Sequence, residues 1–74
     1  MDIFQSRLKL TRLENELTQK QLAELANITE SGLQNYENGR REPKLSIAVA
    51  ICTALDVSLD YLVGLSDNKH SQKN

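Results

Sequence analysis

Polar side chains that suit hydrogen bonding to nucleic-acid bases are concentrated between Thr29 and Gly39. They comprise amides, a hydroxyl and a carboxylate: Glu30, Ser31, Gln34, Asn35 and Asn38. In the major groove of DNA, Asn and Gln pair with adenine, Glu accepts from cytosine N4, and Ser bonds several bases. If the segment is a helix, these residues share one face, while Leu33, Tyr36 and Glu37 lie toward the other. The pattern is typical of a helix whose polar face contacts a ligand.

The alternative is that this polar face is merely hydrated. A hydrated face more often carries Lys and Glu at spacings that form ion pairs along the helix. Here two Asn and a Gln occupy it, although these residues are only poor-to-fair helix formers. The amides therefore favour a binding role over a purely solvated one.

No catalytic or metal-binding set accompanies this face. The chain has one His and one Cys, His70 and Cys52, with no Gly-rich phosphate loop and no metal-ligand spacing. Cys52 stands in an apolar segment, which predicts a small core residue, while His70 falls in a polar tail. We expect neither enzymatic activity nor a metal ion or other cofactor.

Composition bounds the class of protein. Seventy-four residues suffice for one small domain. The net charge of −1 and a pI near 5.7 give no overall attraction to a polyanion. No stretch approaches the roughly 18 apolar residues of a membrane span, and no signal peptide opens the sequence. We expect a cytoplasmic protein without membrane contact.

Helix start and stop signals divide the chain into five short helices. The starts are marked by capping residues or by proline, namely Asp2, Thr18, Thr29, Pro43 and Ser58. The ends are marked by residues that tolerate a left-handed backbone, namely Asn27, Gly39 and Gly64. We expect an all-α fold, with a domain at residues 1–65 and a polar, frayed tail at residues 66–74.

The second and third helices are joined only through Asn27, Ile28 and Thr29. So short a connection cannot reverse the chain, and the two helices must therefore cross steeply. Ala23 is small enough to let them approach closely. This is the helix-turn-helix arrangement, which presents its second helix to the major groove.

Two segments carry a resemblance to a known family: "LTQKQLAELANITESGLQNYENGRREP" and "LDVSLDYL". Together they resemble the helix-turn-helix family of lambda-type and Cro-type repressors, the XRE-like transcriptional regulators. The similarity extends over about residues 4–65. It implies a compact five-helix, lambda-repressor-like DNA-binding domain, with the helix-turn-helix at its second and third helices.

The resemblance also implies roles for individual residues. Those at its base-reading positions are Glu30, Ser31 and Asn35, with Gln34 as a borderline neighbour. Those at its backbone-contacting positions are Gln19, Asn38, Arg40 and Arg41. Arg12 and Glu37 match a structural ion pair, the alternatives being an exposed pair or a contribution to phosphate binding. Two departures are the negative charge of Glu30 and the placement of Gly32 inside the recognition helix, which costs about 0.5–1 kcal/mol.

Several other basic side chains have two interpretations. Arg40, Arg41 and Lys44 would hold phosphates, or would cap carbonyls and solubilise a loop. Arg7 and Lys9 on the first helix are phosphate candidates or part of a solvated face.

The C-terminal third is richer in apolar residues than one buried stripe requires. We expect a dimer interface there that includes Tyr61 and Leu65, the alternative being that these residues fill a tight core. One recognition helix reads only a few base pairs, so dimers on inverted repeats are the expected binding form.

The sequence as a whole predicts a nucleoid-associated, sequence-specific regulator that binds double-stranded DNA as a homodimer and represses transcription. Alternatives are an antitoxin that autoregulates its operon, a restriction–modification controller protein, and a protein-binding adaptor that no longer touches DNA. A toxin or an antirepressor protein is a possible partner.

Overall fold

A computed structural model describes residues 2–70, apart from the side chain of Asp2. Within that range the chain forms five helices: α1 (Asp2–Glu14), α2 (Gln19–Ala26), α3 (Glu30–Asn38), α4 (Leu45–Leu55) and α5 (Leu59–Val63). The all-α, five-helix prediction is confirmed. The predicted cap by the side chain of Asp2 and the last four residues of the tail lie outside the described residues.

The helix boundaries follow from local hydrogen bonds. Thr18 and Gln21 form a complete capping box, in which Thr18 Oγ1 accepts from the Gln21 N–H at 3.0 Å and Gln21 Oε1 accepts from the Thr18 N–H at 2.9 Å. At the starts of α3 and α5, the hydroxyls of Thr29 and Ser58 accept from the N–H groups of Gly32 and Tyr61, without the reciprocal bond. Each cap satisfies an N–H that the helix itself leaves unpaired. Left-handed residues end the helices at Asn27, Gly39 and Gly64.

The core takes one fully buried aliphatic residue from each of the five helices. These residues are Leu8, Leu22, Leu33, Ile51 and Leu62, all with 0% exposure. Burying each such side chain stabilises the fold by about 1.5–3 kcal/mol. The inner face of α3 packs against this core through Leu33, so the opposite face of the helix is open to solvent.

The turn between α2 and α3 is tight and internally bonded. Asn27 adopts φ 58°, and the N–H of Ile28 donates to the carbonyl of Ala23 at 2.9 Å. Ala23 itself is buried, with 2% exposure. The turn therefore fixes the angle at which α3 leaves α2.

The described part of the tail does not fray, contrary to the sequence-based expectation. Arg7 Nη1 donates to the carbonyls of Tyr61 at 2.6 Å and Ser66 at 2.7 Å, and Nη2 pairs with Asp67 at 2.8 Å. The Arg7 guanidinium also stacks over the Tyr61 ring, 4.3 Å from its centroid. Arg7 is thus bound to the C-terminal segment of its own chain, and its alternative role as a phosphate contact is wrong for this conformation.

Two further contacts hold the tail beyond Asp67. Lys69 Nζ pairs with Glu14 at 2.7 Å, and this hydrogen bond raises the pKa of the Lys69 ammonium. The N–H of Ser58 donates to the Lys69 carbonyl at 2.7 Å. Polar composition alone predicts fraying. The tail is held because Arg7 and Glu14 of α1 pair with Asp67 and Lys69 of the tail.

Replacing Arg7 by alanine is expected to release residues 66–70 and to lower the free energy of unfolding by about 1–3 kcal/mol. The loss follows from two carbonyls and an aromatic face that lose a charged partner. Amide hydrogen exchange at the Ser58 N–H, which bonds the tail, reports the release. Lys9→Ala, an exposed change on the same helix, is the control. Unchanged protection in Arg7→Ala contradicts the prediction.

Candidate nucleic-acid interface

The two faces of α3 differ in burial as the sequence predicts. Leu33 and Glu37 are buried, and Tyr36 is half-buried. Asn35 is half-buried at the border, and the rest of the polar face is exposed, namely Glu30, Ser31, Gln34 and Asn38. The helix therefore presents a row of hydrogen-bonding groups to the outside of the domain.

The groups on this face are almost unused inside the molecule. Within residues 2–70 the side chains of Glu30, Gln34 and Asn35 make no hydrogen bond, and Ser31 Oγ lies 3.5 Å from Thr29 Oγ1, a weak contact at best. Such groups lose no internal partner when they bond an external one. The face is therefore available for recognition without rearrangement of the helix.

Gly32 lies in the first turn of α3, and its N–H donates to Thr29 Oγ1 at 3.0 Å. A Cβ added at this position would stand 2.9 Å from that same oxygen, so the capping side chain would have to shift. Gln21 and Tyr61 carry side chains at the equivalent positions of α2 and α5 and still donate to their capping hydroxyls. The cap therefore does not require glycine, and the intrinsic cost of Gly32 to helix stability remains about 0.5–1 kcal/mol.

A buried network joins α1, α2 and α3 behind the polar face. Arg12 donates to both carboxylate oxygens of Glu37, from Nε at 2.7 Å and from Nη2 at 3.1 Å, and from Nη1 to the carbonyl of Leu17 at 2.9 Å. The side chains of Arg12 and Glu37 are 9% and 3% exposed. The pair is therefore buried and bidentate, and the alternative of an exposed pair is wrong.

Gln19 completes this network. Its Nε2 donates to Glu37 Oε1 at 3.1 Å, which brings the first residue of α2 against the last turn of α3. Asn38 follows Glu37 directly in the last turn of α3. The contact between Gln19 and the ion pair was not predicted from the sequence. The signal that links them is the short turn, which folds the start of α2 toward the end of α3.

The basic residues after α3 are exposed. The backbone N–H groups of Arg40 and Arg41 donate to the carbonyl of Asn35, at 2.9 Å and 3.4 Å, while their side chains form no ion pair within the described residues. Lys44 begins α4 without a side-chain capping bond. Backbone groups, rather than the side chains, therefore close the end of α3, and the three cations remain open to solvent.

The C-terminal third divides between core and surface. One side of α4 packs inward, with Ala48, Ile51, Cys52 and Leu55 buried, and burial raises the pKa of the Cys52 thiol. Tyr61 is half-buried under Arg7. The tight-core alternative thus accounts for the buried side of this apolar segment. It does not account for three exposed residues, which are Leu45 at 69%, Val49 at 48% and Leu65 at 79% exposure.

Three exposed leucines lie outside the C-terminal third. They are Leu10 and Leu13 on α1 and Leu25 on α2, with exposures between 52% and 61%. Helical spacing places Leu25 on the same side as Leu22, yet Leu22 is fully buried, because apolar spacing alone does not say how much of a short helix is covered.

Comparison with known proteins gives the family. Residues 8–62 match the family model described as helix-turn-helix. The HTH-type transcriptional regulator YqaE of Bacillus subtilis (strain 168), itself uncharacterized, is 39% identical over 67 residues, which are 90% of this chain and 58% of that protein. The immunity repressor protein of Bacillus phage phi105 is 43% identical over 58 residues, which are 78% of this chain and 40% of the repressor.

A solved structure has the same fold. The N-terminal DNA-binding domain of SinR from Bacillus subtilis aligns with a TM-score of 0.81 at 28% identity, over 96% of this chain and 100% of that one. This chain spans about three-fifths of YqaE, at 58%, and less of the phage repressor, at 40%. Among residues 2–70 no helix has the length and apolarity that crossing a bilayer requires.

Proposed function

This chain belongs to the helix-turn-helix family, and from that premise we propose that it binds double-stranded DNA in a sequence-specific manner and represses transcription. The observation that carries the proposal is the outer face of α3, whose amide and carboxylate side chains are exposed, or half-buried in the case of Asn35, and have no hydrogen-bond partners within residues 2–70. A relative is named as an immunity repressor of a phage and another as prophage-derived. These names support a repressor of a phage or other mobile element. Because its target is double-stranded DNA, we propose that it acts at the nucleoid in the cytoplasm.

Two sets of residues have different roles in DNA binding, one contacting bases and the other contacting the DNA backbone. The set that reads bases is Glu30, Ser31, Gln34 and Asn35, because amide, hydroxyl and carboxylate groups match base edges. The set that holds the backbone is Gln19, Asn38, Arg40 and Arg41, which surrounds the end of α3. Backbone contacts fix the register of the protein, and base contacts carry the specificity.

The backbone set makes binding depend on salt in spite of the net charge of −1. Each phosphate neutralised by a cation releases counterions, so the logarithm of affinity falls linearly with the logarithm of salt concentration. Binding of wild type to duplex DNA, followed by fluorescence anisotropy across a salt series, tests the proposal. Failure to bind any duplex at low salt refutes it.

Arg41→Ala is expected to weaken binding to all duplexes by a similar factor and to reduce the salt slope by roughly 0.9, the contribution of one phosphate. Arg41 is exposed and without an ion pair within the described residues, so the change should leave stability within about 0.5 kcal/mol. Arg41→Lys, which keeps the positive charge at the same position, is the control and should keep the salt slope of wild type. An Arg41→Ala slope equal to that of wild type rules out the phosphate contact.

We propose further that the protein acts as a homodimer on inverted repeats. A two-fold axis beside α5 would place two copies of α3 one DNA turn apart, roughly 34 Å. Leu65 supports this location, because an exposed leucine at the end of α5 gains by burial in a partner. Tyr61 remains part of the proposed interface through the portion of its ring that Arg7 does not cover.

Leu65→Asp is expected to convert a dimer into monomers at micromolar concentration, since a carboxylate buried in an apolar interface lacks a partner. Sedimentation velocity measures the change. The control is Leu25→Asp, which alters a leucine of similar exposure on α2. Tyr61 is left unchanged in this test because its substitution would also disturb Arg7 and the tail. A monomeric wild type, or a Leu65→Asp variant that still dimerises, excludes this interface.

A further inference from the structure

We propose that Glu37 is a positioning residue for DNA binding: it orients the carboxamide of Gln19 so that this group meets a backbone phosphate already aligned. The buried network of Arg12, Glu37 and Gln19 would then belong to the DNA-binding site as well as to the core. The inference rests on the proposed function. It adds that the contact between Gln19 and a DNA phosphate depends on the buried residue Glu37.

The first step is the direction of the Gln19 amide. An ionised carboxylate only accepts hydrogen bonds, so the end of the carboxamide that faces Glu37 must be the NH₂ group. Gln19 Nε2 lies 3.1 Å from Glu37 Oε1, which uses one of its two N–H groups. The second N–H of the same nitrogen diverges from the first and remains a donor. A phosphate requires donors, so the amide is turned the right way for one.

The second step concerns charge. A lone carboxylate beside a phosphate site would repel the anion, but Arg12 engages both oxygens of Glu37. The pair is close to neutral as seen from outside, and the carboxylate keeps enough acceptor capacity for Gln19. Glu37 can therefore hold the amide without driving the phosphate away.

The third step is the helix terminus that Gln19 opens. The capping box uses the N–H of Gln21, which leaves the backbone N–H groups of Gln19 and Lys20 without acceptors in α2. The two free backbone N–H groups therefore belong to the residues whose side chains supply the Gln19 amide and the Lys20 ammonium. A fixed Gln19 side chain adds a directed donor to this helix end, and fixing it before binding lowers the entropy lost on binding.

A double-mutant cycle tests the dependence in the full chain. Arg12→Met with Glu37→Met replaces the ion pair by apolar side chains of similar length, a change that commonly leaves a protein folded, and thermal melting checks this. In the wild-type background Gln19→Ala is expected to weaken binding to a DNA duplex about threefold to tenfold, the effect of one hydrogen bond. In the double-Met background the same change should cost less than about twofold.

Lys20→Ala is the matched control, because Lys20 is exposed and does not contact Glu37. Its effect should be equal in the two backgrounds. A Gln19→Ala effect that is the same with and without Glu37 overturns the positioning role while leaving DNA binding itself intact. Absence of wild-type binding to any duplex at low salt refutes the proposed function, and the positioning role falls with it.

A second measurement needs no substitution and serves if the double-Met protein does not fold. In the NMR spectrum of the wild type, the Nε2 proton of Gln19 that bonds Glu37 should lie downfield of the corresponding proton of free glutamine and should exchange slowly with water before DNA is added. On addition of a duplex, one resonance should shift while the proton bonded to Glu37 stays near its original position. A mobile side chain in the free protein, or equal shifts of both protons, overturns the inference.

Discussion

Glu37→Ala is expected to lower the free energy of unfolding by about 3–5 kcal/mol, because it leaves the Arg12 guanidinium buried without its counter-charge. Arg12 is 8% exposed and directs two of its nitrogens at Glu37. A small domain has only about 5–15 kcal/mol of stability in total. The variant should therefore melt far below the wild type, as followed by circular dichroism.

The control for this prediction is Glu30→Ala on the outer face of the same helix. Glu30 is exposed, so its replacement should change stability by no more than about 0.5 kcal/mol. Arg12→Met combined with Glu37→Met should recover most of the loss, since the unpaired charge is then absent. If Glu37→Ala is as stable as the wild type, the buried pair contributes nothing to the fold.

Much of the fold was predictable because its boundaries are set locally. Thr18, Thr29 and Ser58 each satisfy an N–H within their own first turn, and Asn27 and Gly39 end their helices through their own backbone angles. These features depend on neighbours in sequence and not on the rest of the molecule. The polar and apolar sides of α3 follow from helical periodicity in the same way.

What the sequence did not reveal depends on contacts between distant residues. The residues that Arg7 binds, Tyr61, Ser66 and Asp67, lie at the other end of the chain, so a tail of polar composition was predicted to fray. Gln19 meets Glu37 only because the turn at Asn27 sets the angle between α2 and α3. Neither contact has a signature in local spacing, since both depend on how the helices pack.

The placement of the recognition residues separates positions that read bases from positions that hold the backbone. Asn35 lies midway along α3, half-buried at the border of its outer face, and its side chain has no partner within the described residues. Asn38 lies in the last turn, next to the buried network at Glu37. Both residues are asparagines on one helix. Replacing each by alanine removes the same chemical group, so any difference between the two variants comes from the position of the residue.

Asn35→Ala is expected to weaken binding to the operator by about 1–3 kcal/mol, the discrimination that a bidentate amide–adenine pair provides, with little effect on random duplex. Selection from a random duplex pool first defines the operator, and anisotropy titrations then compare the two DNAs. Asn38→Ala is the control and should weaken binding to both DNAs alike, as a backbone contact does. Because the Asn35 side chain supports nothing inside the protein, the melting temperature should stay near that of wild type. Equal losses on operator and random DNA for Asn35→Ala would make Asn35 a backbone contact and move the reading of bases to Glu30, Ser31 and Gln34.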